Sequence, residues 1–156
     1  VEYGIESTHD ATLCRINRGH TFQDTVDAVE RTVACGILTG GHVILGLPGE
    51  THEDLVAQAA TLSRLPITTL KMHQLQLIRG TRMAHEYEQH PEDFHLFGVE
   101  EYIDLVIDYI EHLRPDLVLE RFVSQSPKEL LIAPDWGLKN YEMRQLGAYQ
   151  GKKYDM

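Results

Sequence analysis

The sequence predicts an α/β fold organised on a parallel sheet, and three observations predict it. Short β-branched or leucine-rich runs alternate with amphipathic stretches, in the order strand, helices, strand, helix, strand, helix, strand. Two Thr-x-x-Asp sequences, Thr21 to Asp24 and Thr51 to Asp54, each open an apolar stripe as a capping box does. The run His42-Val43-Ile44-Leu45-Gly46-Leu47-Pro48-Gly49-Glu50-Thr51 joins a strand, a tight loop and a helix start, the corner on which α/β proteins place ligands. Such alternation implies right-handed crossovers, in a doubly wound sheet or in part of a (β/α) barrel.

Val1 to Glu6 reads as the first strand. Thr8 to Asn17 offers a short helix with Asp10 as its cap and Leu13 and Ile16 on one face, ended by Arg18-Gly19. The helix opened by Thr21 carries Phe22, Val26, Val29 and Val33 at steps of four, three and four, and Gly36 ends it. Ile37 to Gly41 is a loop into Val43 to Leu45, whose continuous apolar character predicts a strand covered on both faces. The next helix runs from Thr51 to about Leu65, with Leu55, Ala59 and Leu62 inward and Pro66 as its stop.

Thr69 to Ile78 is a further strand whose alternation changes phase: Leu70 and Met72 share one parity, Leu75 and Leu77 the other. A bulge or bend near His73-Gln74 explains that, and so does burial on both faces. Met83 to Phe97 is polar, and its histidines His85, His90 and His95 recur every five residues, which lacks the i, i+4 geometry of a helical zinc pair. Val99 to Leu113 is the clearest helix, with an Ile/Val/Leu stripe ended by Arg114-Pro115, and Leu117 to Phe122 is the last strand. Beyond it Pro127, Pro134, Gly137 and Gly147 punctuate an irregular extension carrying Trp136, Tyr141, Tyr149 and Tyr154 without periodicity.

The chain has 156 residues, 42% of them apolar, enough for one globular core. No run of about 18 apolar residues spans a membrane. Cys14 and Cys35 form no C-x-x-C pair, so a cytoplasmic protein with free thiols is expected. The net charge of -10 argues against this stretch gripping nucleic acid through its phosphates. A strand at the first residue needs a neighbour at once, and this raises the expectation of a missing N-terminal part.

The glycines of the His42–Thr51 corner let the backbone approach something closely, and the free N–H groups of the new helix offer donors; a plain βα turn is the alternative. Its motifs, with Tyr3-Gly4-Ile5-Glu6-Ser7, Asn17-Arg18-Gly19-His20, Leu75-Gln76-Leu77-Ile78-Arg79-Gly80-Thr81, Glu120-Arg121-Phe122 and Gly137-Leu138-Lys139-Asn140, resemble the later half of a radical S-adenosylmethionine (SAM) core. The resemblance covers essentially the whole chain and is closest to the coproporphyrinogen-dehydrogenase and Elongator type, including the YhcC-like bacterial proteins.

What the resemblance implies is a partial (β/α) barrel, residues 1–115 being its later half and residues 116–156 an extension packed on it. It further implies an enzyme that cleaves SAM at a [4Fe-4S] cluster to make a 5'-deoxyadenosyl radical. By position, Val1 to Glu6 is the fourth strand, Val43 to Leu45 the fifth and Thr69 to Leu77 the sixth. In such proteins the fourth-strand end holds the ribose, which suits Glu6 and Ser7. A basic residue after it pairs with the methionyl carboxylate, which fits Arg18, although a surface arginine at a helix end reads the same way. Ile44 and Gly46 meet the adenine, and Leu75 and Gln76 either close over it or fill the barrel. Glu50 is a site acid or a complement to the helix dipole.

The three-cysteine loop that binds the cluster, and the glycine-rich segment for the methionyl amine, have no counterpart here. The chain alone is therefore expected to be inactive, with no catalytic residue and no metal ligand of its own, and to need the missing N-terminal half of the barrel as partner. An open edge on its first strand invites homo-oligomers. The substrate is open; tRNA enters only by analogy with Elongator-type relatives. Two rival readings remain: a non-catalytic nucleotide-binding or interaction module, without a Walker loop, and a metal-assisted hydrolase on a barrel using His73 and the other histidines.

Overall fold

The computed structural model describes the backbone of residues 1–153 and the side chains of residues 1–146. Its elements are β1 (Glu2–Glu6), α1 (Asp10–Arg15), α2 (Phe22–Ala34), β2 (Gly40–Leu45), α3 (His52–Leu62), β3 (Thr69–Gln74), β4 (Leu77–Ile78), α4 (Arg82–Gln89), α5 (Val99–Glu111), β5 (Val118–Arg121), β6 (Leu131–Ala133) and α6 (Asn140–Lys153). Strands β1, β2, β3 and β5 form one parallel sheet in that order. Every step along the sheet is thus a strand, helix, strand crossover, the α/β arrangement the alternation predicts.

Local chemistry sets the helix ends. Both capping boxes form: Thr21 accepts from the Asp24 N–H and Thr51 from the Asp54 N–H, and each aspartate returns the bond. Asp10 is not the cap of α1. His9 stands there without a side-chain bond, and the Asp10 carboxylate instead accepts from the Phe22 N–H at 2.7 Å, satisfying an orphan donor at the start of α2. At the other end of α1, Asn17 takes φ 56°, and the bonds from Asn17 N–H to Cys14 and from Arg18 N–H to Leu13 close a Schellman turn.

One face of the sheet carries the core. Ile5, Val43, Leu45, Leu70 and Met72 meet Val29 of α2, Leu55, Ala59 and Leu62 of α3, and Tyr102, Leu105, Val106 and Tyr109 of α5. Truncating Leu70 or Met72 to alanine removes contacts worth about 2–5 kcal/mol in a packed core. The opposite face is open, which corrects the expectation of a strand covered on both sides: Val43 and Leu45 are fully buried while Ile44 between them is only half-buried. This open face is polar. It bears Glu2, Glu6, His42, Lys71 and His73, with Lys71 paired to Glu2 and, at 3.5 Å, to Glu120.

The phase change after Met72 comes from a bend next to His73-Gln74 and not from a bulge. Alternation holds through Gln74, which is buried, and the strand then breaks at Leu75-Gln76. Leu77 and Ile78 leave the sheet and pair antiparallel with β6 as β4. With α4 this pair forms a second apolar cluster around Leu47, Leu75, Leu77 and Phe94. The extension is more regular than its punctuation suggests: Trp136, Leu138 and Met143 pack on the main core and residues 140–153 are helical. Tyr141 is exposed. Tyr154 and the Tyr149 side chain lie outside the described residues. No helix among the described residues is long and apolar enough to cross a membrane.

Candidate functional site

The carboxyl ends of β1 and β2 hold backbone in constrained conformations. Glu6 lies at φ 65°, and the Ser7 N–H bonds the Ile5 carbonyl at 2.8 Å across it, a γ-turn of the strained kind. A non-glycine residue held there costs on the order of 1–3 kcal/mol, so the surroundings must over-determine it. They do. Gln58, fully buried on α3, accepts from the Thr8 N–H and donates to the Tyr109 hydroxyl, both at 3.0 Å. The Ser7 hydroxyl donates to Glu50 and accepts from the His9 N–H at 3.0 Å.

This turn aims the Glu6 carboxylate over the open face. Its Oε1 lies 3.6 Å from His42 Nδ1, while its Oε2 is buried with no partner among the described residues. Gly4 makes room for the group. A Cβ there would sit 2.6 Å from Glu6 Oε1, 2.8 Å from Arg18 Nη2 and 3.2 Å from His42 Cε1. Arg18 reaches back from the end of α1 to the Gly4 carbonyl at 2.8 Å, so Glu6, Arg18 and His42 converge above β1. His73 stands edge-on to His42, with ring centroids 5.7 Å apart, and burial, followed by the charges of His42 and Arg121, holds its pKa below the ordinary imidazole value.

At the end of β2 the chain turns through Gly46 at φ 93° and Gly49 at φ 92°. The space a Gly46 Cβ would fill belongs to the Phe97 ring, 2.7 Å away. What the missing side chain admits is therefore an internal aromatic, which leaves the Gly46 backbone as the group available to a ligand. A cavity of about 400 Å³ lies between this loop and the Glu92–Phe97 segment. Glu50 is more than a surface complement to the dipole of α3. Its side chain is 2% exposed, and burial raises its pKa despite the bond from Ser7 and the proximity of Thr12 and His9, while its Oε2 has no hydrogen-bond partner among the described residues.

Of the residues picked out in the sequence, Glu6, Arg18 and Ile44 share the open face around β1 and β2, and Gly46 follows directly at the end of β2. Ser7 is fully buried and its hydroxyl is committed to Glu50, so it shapes the turn instead of presenting a donor to the face. Gln76 sits elsewhere, in a separate cavity where it accepts from the Ser126 hydroxyl at 2.7 Å. Sequence reasoning passed over His42, Gln58 and Phe97. For His42 a signal existed: it has the parity of Ile44 and opposes the buried Val43 and Leu45. For Gln58 and Phe97 none did, because their partners come from distant elements.

The donor set fits the two implied cofactors differently. A buried carboxylate oxygen without a partner, beside a glycine and an arginine, fits a ribose hydroxyl and a carboxylate. The thiols do not fit an iron–sulfur cluster: Cys14 and Cys35 are exposed, one in α1 and the other at the C-cap of α2. Among the described residues no group of three or more His, Cys, Asp or Glu side chains is placed to hold a metal ion. His85, His90 and His95 are solvent-exposed, each beside a glutamate.

A parallel sheet with helices on one face, a polar open face and constrained residues at its strand ends defines the class as a partial β/α barrel. Residues 67–148 match the Radical SAM C-terminal domain, and the chain belongs to that family. It is 33% identical over 160 residues to the uncharacterized protein YtqA of Bacillus subtilis, covering 97% of this chain and 49% of the relative. It is 29% identical over 138 residues to protein YhcC of Escherichia coli, covering 87% and 43%. The chain thus spans about half the length of these curated relatives. Among solved structures, archaeal Elp3 from Methanocaldococcus infernus superposes with a TM-score of 0.84 at 20% identity, over 98% of this chain and 36% of that one. These matches support the partial β/α barrel and the C-terminal, YhcC-like radical SAM assignment drawn from the motifs.

Proposed function

We propose that this chain supplies the nucleoside side of a radical SAM active site whose cluster-binding residues lie outside it. The single observation that carries the reading is Glu6, whose buried Oε2 has no partner on a strained turn at a strand end. In this reading Glu6 accepts from the ribose hydroxyls, and Arg18 pairs with the methionyl carboxylate through the donors its bond to Gly4 leaves free. The adenine lies on Ile44 and the Gly46 backbone. Ser7 acts through Glu50 to hold the turn, and Gln76, placed in a separate cavity, has no part in holding the nucleoside in this reading. SAM bound beside a reduced [4Fe-4S] cluster supplies a 5'-deoxyadenosyl radical; the chain's own residues hold and orient the nucleoside.

Residues 1–115 act as the barrel portion and residues 116–156 as an extension that also lends β5 to the sheet. The open edge of β1, paired on one side only by β2, receives the rest of the barrel or a second copy. The exposed free thiols suit a reducing compartment, the cytoplasm. A tRNA substrate is supported by analogy with Elongator-type relatives alone. A second reading, a nucleotide-binding module without catalysis, is favoured by the absence of thiolate ligands among the described residues.

The test is anaerobic reconstitution, with iron, sulfide and SAM, of the protein extended to the length of its relatives. Dithionite then releases 5'-deoxyadenosine, and Glu6→Ala lowers that release at least about tenfold, the scale of a lost charge-assisted hydrogen bond. Release unaffected by Glu6→Ala contradicts the role given to Glu6. No release at all contradicts the enzyme reading and leaves the binding module.

A further inference from the structure

A second cavity, of about 360 Å³, opens beside the carboxyl end of β3, between the Ser124–Lys128 segment and the Pro134–Lys139 loop. That volume lies within the range of small-molecule sites, roughly 300–1,000 Å³. Its floor is rigid. The buried Gln74 amide donates to the Ser124 carbonyl at 3.0 Å and accepts from the Ser124 N–H at 2.8 Å, which fastens the loop after β5 to the end of β3. The Ser126 hydroxyl donates to Gln76 Oε1, which leaves the Gln76 amide N–H₂ as a donor at the rim. Gln125 ties the far wall by donating to the Leu138 carbonyl at 3.2 Å.

Its charge is opposite to that of the chain. The net charge is -10, yet the lining holds Lys128 and Lys139 against one acid, Asp135, with the Glu142 carboxylate next to it accepting from the Lys139 backbone N–H at 2.7 Å. Neither lysine has an acidic partner within 4.0 Å among the described residues, whereas Lys71 on the open face is paired twice. Trp136 supplies an apolar wall. Its indole N–H is already bonded to the Phe97 carbonyl at 3.1 Å, so it competes for no ligand acceptor. Two ammonium groups and a free amide N–H₂ beside an apolar surface form a donor set for an oxyanion carried on an organic body.

We propose that this cavity binds the anionic group of the substrate, a phosphate monoester, at a position distinct from the nucleoside site around Glu6. Calling that anion the substrate's rests on the radical SAM reading; the anion site itself does not. Trp136 is the only tryptophan of the 156-residue chain and lines the cavity, so its fluorescence reports occupancy directly. The chain is titrated with phenyl phosphate and with inorganic phosphate, against sodium chloride at matched ionic strength.

Both phosphates are expected to change Trp136 emission saturably, phenyl phosphate with the lower midpoint, and chloride is not. Lys128→Gln and Lys139→Gln each raise the midpoint about three- to tenfold, and the double variant abolishes saturation. Arg82→Gln, on α4 outside the cavity, leaves it unchanged. Thermal unfolding midpoints equal to that of the parent chain show that the lysine variants fold. A response matched by chloride, or one retained in the double variant, overturns the proposal. SAM-induced amide shifts at Glu6 and Gly46 are recorded on the parent chain. Shifts in a parent chain that binds no phosphate overturn the anion site alone, and phosphate binding without those shifts overturns the nucleoside reading alone.

Discussion

Gly46→Ala is expected to cost about 2–5 kcal/mol of folding stability, read as a fall in the urea midpoint at unchanged m-value. Two independent costs add. The backbone at φ 93° lies where an L side chain is strained, on the order of 1–2 kcal/mol. The new methyl would also sit 2.7 Å from the Phe97 ring, and overpacking of this kind costs about 1–3 kcal/mol. Phe97 cannot simply turn away, because its ring packs against both His95 and Tyr102. Repeating the substitution in a Phe97→Leu background separates the two: the clash is relieved and the backbone cost stays. A Gly46→Ala protein as stable as the parent would mean that the loop after β2 is not held as described.

Substitutions at Glu50 are expected to split by chemistry and by pH. Glu50→Gln keeps an acceptor for the Ser7 hydroxyl and removes the charge. Glu50→Ala leaves the Ser7 hydroxyl without its acceptor in a closed space, at a cost of about 1–3 kcal/mol. Burial is the largest influence on this acid and raises its folded pKa above the ordinary value of 4.5. A raised carboxyl pKa means that the folded state binds the proton more tightly than the unfolded state. Its stabilisation is therefore fully present below pH 4.5 and is lost as pH rises through the folded value. Thermal midpoints recorded from pH 4 to pH 8 should show Glu50→Gln gaining on the parent as pH climbs. Parallel curves at every pH would show that Glu50 is not charged against its surroundings.

Those two sites mark where the sequence was legible and where it was not. Thr21 with Asp24 and Thr51 with Asp54 announced α2 and α3 because capping is local, decided within four residues of chain. That the sheet is parallel followed from alternation alone, whereas its strand order did not, because alternation fits a doubly wound sheet equally well. α4 was missed because Thr81 caps it through the Ala84 N–H without the acidic residue that makes a capping box visible. α6 was missed because Gly147 and Gly151 interrupt its pattern.

The break after Gln74 misled for a physical reason. A strand that leaves its sheet resets which face is buried, and in sequence that looks the same as a bulge. The depth of Glu50, the strain at Glu6 and the Phe97 ring against Gly46 were unreadable for another: each is created by elements 40 or more residues apart in the chain. The motifs located the ends of β1 and β2 correctly, whereas β3 ends at Gln74, short of the Leu77 they implied. Only the three-dimensional packing distinguished Glu6, which is left with a free acceptor, from Ser7, whose hydroxyl is spent inside the fold.

The most direct measurement is a titration of the isotope-labelled chain with SAM, and separately with ATP, followed at the backbone amides. SAM should give saturable shifts concentrated at Glu6, Ile44 and Gly46, weakened in Glu6→Ala and tighter than any ATP response. Tighter binding of ATP, or SAM shifts that spare the ends of β1 and β2, would contradict the assignment of this half-barrel as the nucleoside side of a radical SAM site.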